Sequence, residues 1–463
     1  MTPPAASARQ VALSVLVRVA RDGAYADRAL DVALERSILS DRDKALTTEL
    51  VYGTLRQQIY IDFLLARLAT KPLKKTPPFV REALRMGAYQ ILETRVPPHA
   101  AVNEAVSLIQ HDYHHAAGFV NAVLRKLSAL KTANQLPRVE DSISDPVEAL
   151  ALQTSHASWI VEEVARQRGL DATRLWVDAN NLRPAVTLRV NRTRATRDEV
   201  RAELEAAGAI VEAPERFPDG LRVRDTGSVA ALSGFAAGKY TVQDLGAQLI
   251  AYLAQPAPGS FVLDACAAPG GKATHLAEML HGTGHVLATD VHAGKTRLIA
   301  AHAERLGLEN LATATVDATD PDALEELLQQ HGHDRVDLAL VDAPCTGLGT
   351  LRRNPELRSQ NPDRLRELTS LQDLLLDSVG RLVRPGGTLV YAVCTVTEAE
   401  GPARISEFMN RNKEFQVDSA IDPLTSSFVA SCGNPLAGFQ ALRTWTDLHG
   451  TDGFFAVRLK RAG

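Results

Sequence analysis

At 463 residues the chain is longer than one hydrophobic core organises, so two or three domains are expected. Its 45% apolar and 23% charged residues are ordinary for a globular protein, and no run approaches the ~20 apolar residues of a membrane span. The net charge of −4 conceals an asymmetry: of 51 Lys+Arg and 55 Asp+Glu, the first 135 residues hold 18 and 12, leaving 33 and 43 on the rest. A basic front end on an acidic body suits a polyanionic partner, and equally a solvated helical surface. The start of the chain lacks a charged-then-apolar leader pattern, so a cytoplasmic protein is expected. Cysteines 266, 345, 394 and 432 are too sparse for a disulfide framework, and no Cys-x-x-Cys pair suggests zinc. They are expected as free thiols in a reducing compartment, with no metal.

Residues 1–135 read as an all-α module. Arg9 to Val19 is apolar at 11, 12, 15, 16 and 19, and further amphipathic stretches fall near 26–38, 42–56, 58–69, 78–94, 100–112 and 117–130. His111, His114 and His115 cluster without an acid or cysteine to complete a site, and are expected at the surface. Lys131 to Pro146 reads as a linker. Residues 147–235 read as a small α+β piece with helices near 147–153, 157–168, 171–180 and 196–207. Its strands are expected at 186–190, 210–213 and 221–223. It is either a spacer or a second RNA-contacting surface, for which Arg183, Arg189, Arg192 and Arg194 are the candidates.

Residues 236–463 alternate strands and helices: Tyr240 opens the domain as a strand running into a helix, and strands follow at 261–264, 286–290, 312–316, 336–341 and 388–393. That alternation predicts an α/β, Rossmann-like, mostly parallel sheet with its ligand crevice at the strands' carboxyl ends. The run Phe261–Leu263 leads through Asp264 and a small-residue loop into two glycines and a helix. Such a turn lets backbone N–H groups approach a ligand where no Cβ intrudes. Asp290 ends the second strand about 20 residues on, where nucleotide-binding folds place the acid that accepts ribose hydroxyls. Two further strand-like runs end at Asp317 and Asp342. Four acids on one edge point to an adenosine-type ligand, while the absence of G-x-G-x-x-G argues against a nicotinamide.

Cys345 and Cys394 each follow a strand on that same edge. Cys266 lies in the loop as a small packing residue, and Cys432 has no such context. An adenosine cofactor beside a thiol suggests cytosine C5 methylation. Carbon 5 becomes nucleophilic only after a thiolate adds to carbon 6. An acid at the ring's Watson–Crick edge, for which Asp342 is placed, stabilises the adduct, and a base then removes the C5 proton. The target base must leave its stack to reach the pocket.

The segments Cys266-Ala-Ala-Pro-Gly-Gly-Lys272, Asp290, Asp317, Asp342-Ala-Pro-Cys345 and Tyr391-Ala-Val-Cys394 resemble the Sun family of RNA cytosine-C5 methyltransferases. Leu351-Arg-Arg-Asn-Pro355 and Asp452-Gly-Phe-Phe455 share in the likeness. Gly87-Ala-Tyr-Gln-Ile91, Val96 to Val106 and Gly118 to Arg125 make residues 1–135 similar to a NusB-type RNA-binding domain. The resemblance implies S-adenosylmethionine bound by Cys266, Ala267, Ala268, Pro269, Gly270, Gly271 and Lys272, with Asp290, Asp317 and Asp342. It implies small-subunit ribosomal RNA as partner, the target being cytosine 967 of 16S rRNA in the family's numbering, and a monomeric enzyme without metal or membrane. Cys394 matches the family's nucleophile and Cys345 the thiol that assists product release, whereas DNA cytosine methyltransferases use their Pro-Cys, here Cys345, as nucleophile.

The chain departs from the family pattern at Val393 and Ala273, where threonine is usual, and at Ser359-Gln360, where an aromatic is common. These positions bear on target choice and rate. A tRNA-directed relative shares the catalytic motifs. A non-catalytic assembly factor is the alternative from another class, and the intact thiols and glycine loop weigh against it. An amino-group methyltransferase is disfavoured because Asp342-Ala-Pro is followed by cysteine, not by an aromatic that stacks on the base.

Overall fold

The structure, a computed structural model, describes residues 6–225, 227–418, 424–425 and 440–463; Cys432 lies outside them. The chain forms two compact units, Met1–Leu182 with Leu351–Asn361, and Arg183–Thr350 with Pro362–Gly463.

The first unit is helical. α1 (Ala8–Asp22) starts at a capping box, Ser7 with Gln10, and buries Val11, Ala12, Val15, Leu16 and Val19, the stripe its periodicity predicts. α2 (Ala26–Glu35), α3 (Asp41–Arg56), α4 (Gln58–Leu68), α5 (Pro78–Glu93), α6 (Pro98–Gln110) and α7 (His114–Thr132) complete one shared core. α5 runs through its middle. At Gly87 a Cβ would stand 2.7 Å from Leu124 of α7, so glycine is what lets these two helices approach. His111, His114 and His115 are exposed, as expected.

α8 (Pro146–Gln153), α9 (Ser158–Arg168) and α10 (Leu170–Asn181) are further helices of this first unit. Buried polar groups tie them there. The Arg358 guanidinium, 1% exposed, donates to the carbonyls of Arg56 and Asn180 and to the Asn181 side chain. Trp159 Nε1 donates to the Gln360 carbonyl at 3.0 Å. The stretch Leu351–Asn361, read from sequence as part of the catalytic domain, thus packs as part of the helical unit.

The second unit has two sheets. β1 (Val186–Val190), β2 (Ile210–Glu212), β3 (Gly220–Arg224) and β4 (Tyr240–Val242) form an antiparallel sheet in the order β2-β3-β1-β4, with α11 (Arg197–Ala206) packed against it. Tyr240 was expected to open the catalytic domain. Instead β4 pairs with β1, Thr241 opposite Arg189, and the Tyr240 ring is buried among Leu188, Val190 and Leu204.

After α12 (Ser233–Ala236) and α13 (Leu245–Ala254) come β5 (Phe261–Asp264), α14 (Gly271–Met279), β6 (His285–Asp290), α15 (Ala293–Leu306), β7 (Leu311–Thr315), α16 (Pro321–Gln330) and β8 (Val336–Asp342). α17 (Arg364–Leu382), β9 (Val383–Val393), α18 (Pro402–Arg411), β10 (Phe415–Val417), β11 (Leu442–Arg443) and β12 (Phe455–Arg461) follow. The order is β10-β12-β9-β8-β5-β6-β7, with β11 paired to β12. β7, β6, β5, β8 and β9 are parallel, β12 runs antiparallel to β9, and β10 runs antiparallel to β12. Helices cover both faces, and the apolar strands divide their side chains between two cores. The strand order reverses between β5 and β8, which opens the crevice at their carboxyl ends.

Candidate active site

The loop after β5 is fixed to both neighbouring strands before it reaches its glycines. Ala265 N donates to the Leu340 carbonyl at 2.9 Å and Ala267 N to the Thr289 carbonyl at 2.8 Å. The Ala268–Pro269 bond is cis. Gly270 has φ +106°, and a Cβ there would stand 3.2 Å from Ile299, so only glycine fits this turn into α14.

The expectation that Arg189 is an RNA contact is wrong. Its side chain is fully buried and points from β1 into the start of α14, donating to Glu278 at 2.7 Å, Thr274 at 3.0 Å and the Gly271 carbonyl. In the alternation of β1, position 189 faces the catalytic sheet's helix, and Glu278 supplies the charge that allows burial. Arg183, Arg192 and Arg194 are exposed.

Three strand ends deliver their acids to one place. Asp264 is fully buried, and neither carboxyl oxygen completes a hydrogen bond, although the Cys266 N–H lies near enough to favour the charge. Burial, reinforced by Asp342 and opposed by Lys272, pushes its pKa to about 8. Lys272 Nζ pairs with Asp342 and lies 5.2 Å from the centre of the Phe454 ring. Burial works against the ammonium, but Asp342 outweighs it, with smaller help from Cys394 and Asp264, and holds the Lys272 pKa above its ordinary value. Asp290 accepts the His292 N–H at 2.9 Å, with Lys295 Nζ at 3.5 Å. Asp317 stands apart. Its strand ends at Thr315, and the exposed carboxylate accepts the N–H and hydroxyl of Thr319, which lower its pKa. Cys266 is held neutral, chiefly by burial and then by Asp264, Asp342 and Asp290, so it is no nucleophile.

Cys345 and Cys394, 49 residues apart in the chain, bring their sulfurs to 3.4 Å. The Cys345 thiol is pushed well above its ordinary value, first by its hydrogen bond with Cys394, then by burial and the charges of Cys394 and Glu400. Cys345 therefore keeps its proton. Spacing alone could not show this meeting, nor that Glu400, buried six residues beyond Cys394, bonds to both thiol loops. The sequence signal for Glu400 was only an acid in a threonine-rich run.

The residues present fit S-adenosylmethionine. The glycine turn leaves room where a Cβ would intrude, and two unpartnered carboxyl oxygens wait in a crevice rich in acids, which suits a cationic ligand with an amino group and hydroxyls. Among the described residues no cluster of three or more His, Cys, Asp or Glu is placed to hold a metal, and no helix is long and apolar enough to cross a membrane.

Comparison with known proteins agrees with this architecture. The family model for 16S rRNA methyltransferase RsmB/F matches residues 251–460, the NusB family model residues 6–129, and the ferredoxin-like domain of RsmF/B-like methyltransferases residues 156–230. The Bacillus subtilis protein named probable ribosomal RNA small subunit methyltransferase B is 35% identical over 461 residues, 99% of both chains. Ribosomal RNA small subunit methyltransferase B of Salmonella paratyphi C is 34% identical over 408 residues, 88% of this chain and 90% of that one. The crystal structure of PH0851 superposes with a TM-score of 0.81 at 27% identity, covering 98% of this chain and 99% of that one. NSun6 from Pyrococcus horikoshii, at 20% identity and a TM-score of 0.56 over 65% of this chain and 97% of its own, shares the fold. Relatives so similar from end to end leave one reading: the chain belongs to the RsmB/F family of S-adenosylmethionine-dependent 16S rRNA methyltransferases.

Proposed function

We propose that the protein methylates carbon 5 of one cytosine in 16S rRNA, at the family's position 967, through a covalent bond between Cys394 and carbon 6 of the base. The observation that carries this reading is the meeting of two thiols at 3.4 Å beside the Lys272–Asp342 pair. The family likeness of Tyr391-Ala-Val-Cys394 and Asp342-Ala-Pro-Cys345 gives attack to Cys394 and assistance in product release to Cys345. Asp342 is positioned by Lys272 to hydrogen-bond the ring's Watson–Crick edge, which stabilises the adduct. S-adenosylmethionine, when bound, supplies an electrophilic methyl group on a sulfonium. Segment 266–272 would hold it with Asp290 and Asp342, and Asp317 would join them only from its separate turn. After transfer a base removes the C5 proton and Cys394 leaves.

The basic, NusB-like residues 1–135 bind RNA, residues 147–235 act as the spacer or second RNA surface, and residues 236–463 carry the reaction. The enzyme works as a cytoplasmic monomer. The test is a denaturing gel with labelled small-subunit rRNA fragment and S-adenosylmethionine. Cys345→Ala is expected to accumulate a protein–RNA adduct and Cys394→Ala to form none. The reverse pattern moves the nucleophile to Cys345; no adduct in any lane, with cofactor bound, defeats the covalent reading for this RNA.

A further inference from the structure

β8 and β9 pair as far as Asp342 and Ala392, and beyond that the chain diverges into two loops, one carrying Cys345 and the other Cys394. Two backbone bonds continue between them, Ala343 N to the Ala392 carbonyl at 2.9 Å and Gly349 N to the Cys394 carbonyl at 3.0 Å. The groups that bridge the loops beside the sulfurs converge on one carboxylate.

Glu400 is completely buried. It accepts the N–H of Thr346 at 2.7 Å and the Thr346 hydroxyl, on the residue after Cys345. It accepts the hydroxyls of Thr395, the residue after Cys394, at 3.0 Å and of Thr397 at 2.9 Å. Thr346 and Thr395 also touch through their hydroxyls at 2.7 Å. Gln372 of α17 donates to Glu400 at 3.2 Å and to the carbonyl of Pro344, the residue before Cys345, at 2.9 Å. The Tyr391 hydroxyl, on β9, fixes the Glu400 carbonyl at 2.7 Å. No Lys or Arg among the described residues forms an ion pair with Glu400. A buried carboxylate without a counter-ion is costly, and here each hydrogen bond to its carboxyl group comes from a thiol loop or from the glutamine that braces one.

We infer that Glu400 is a positioning residue, clasping the Cys345 and Cys394 loops so that the two sulfurs meet over one target base. The inference rests on the proposed reading that both thiols act on the same cytosine. The carboxylate itself touches no reacting atom; it acts through the threonines.

The test uses the full-length protein in wild-type, Glu400→Ala, Glu400→Gln and Thr346→Val forms, with two readouts. In the first, without RNA, diamide takes two electrons and two protons from the thiols, becoming the hydrazine while a Cys345–Cys394 disulfide forms. Its rate, followed by peptide mass, reports the approach of the sulfurs alone. In the second, methyl transfer to an rRNA fragment is split into kcat and KM. Because a misplacement near 1 Å costs on the order of 100-fold, Glu400→Ala is expected to lose about that much in both disulfide rate and kcat, with KM changed no more than about twofold. Glu400→Gln keeps an acceptor for the Thr346 N–H, and its amide can meet hydroxyls that turn to accept, so it restores most of both rates. Should Glu400→Ala fail to fold, Thr346→Val, which removes one strut, decides the matter with an expected loss on the order of tenfold.

Wild-type disulfide rate and kcat in Glu400→Ala overturn the inference, as does a rise in KM at constant kcat. If wild type transfers no methyl group to rRNA, the proposed reaction fails while the diamide rates still judge the clasp.

Discussion

Replacing Arg189 by methionine separates two readings of the middle sheet. As an RNA contact, Arg189 would be dispensable for folding, and its loss would weaken RNA binding alone. The structure instead pairs it with Glu278 where the two side chains are 0% and 4% exposed. Removing one partner of a buried pair leaves the other charge uncompensated, at about 3–5 kcal/mol. For a unit of this size that lowers the midpoint of thermal unfolding by roughly 10 °C. The Gly271 carbonyl also loses its charged donor, and the slackened glycine turn is expected to weaken S-adenosylmethionine on the order of tenfold. The stability deficit depends on pH with a definite sign. Burial already raises the Glu278 pKa and Arg189 opposes that, so losing Arg189 raises it further. Below the ordinary carboxylate value Glu278 is protonated folded or unfolded, and the deficit is small. It begins to grow only above the already raised wild-type value, where the paired carboxyl has ionised and the variant's has not, by about 1.4 kcal/mol per unit, and levels once the variant's folded carboxyl ionises. Scanning calorimetry across pH, with titration of cofactor and of RNA at a permissive temperature, makes the comparison. A variant within about 2 °C of wild type that has lost RNA affinity but not cofactor affinity refutes the reasoning.

Asp264→Asn removes a carboxyl that burial and Asp342 hold protonated up to about pH 8. The cofactor-free variant should gain heat stability over wild type as pH rises from the ordinary aspartate value toward 8, and calorimetry showing no such trend removes the basis for the claim. Gly270→Ala forces a Cβ onto φ +106° beside Ile299, at a strain of ~1–3 kcal/mol, and should abolish measurable cofactor binding by calorimetry while circular dichroism stays native. Asp290→Ala is expected to weaken cofactor binding and leave RNA binding near normal; equal loss of both would discredit its place in the pocket.

The thiol edge was legible in the sequence because parallel strands buried on both faces read as apolar runs, and the residues just past each run land on one edge of the sheet. Asp264, Asp290, Asp342, Cys345 and Cys394 were all found that way. Asp317 shows the limit of the method: two residues past the end of β7, its carboxylate is taken up by Thr319 in a local turn, which periodicity does not register. Arg189 and Arg358 were misjudged or missed for a different reason. Charged residues are read as exposed unless a partner is known, and their partners, Glu278 and the carbonyls of Arg56 and Asn180, lie 89, 302 and 178 residues away. The same long-range pairing moved β4 into the antiparallel sheet and Leu351–Asn361 into the helical unit.

These long-range polar ties have a common effect on the site. Arg189 reaches the glycine turn, Lys272 holds Asp342, and Glu400 joins the thiol loops, so each loop proposed to meet substrate or cofactor is anchored by a charged group at least partly buried. Loops at a sheet edge are ordinarily the mobile part of an α/β fold. A covalent step on an extruded base needs two sulfurs, one acid and a methyl donor within bonding reach at once, and apolar packing alone does not fix polar side chains to that tolerance. Buried charged hydrogen bonds do, because each is strong only at its own geometry. The stability given up in burying Glu278 and Glu400 is the physical counterpart of a site whose geometry exists before a substrate arrives.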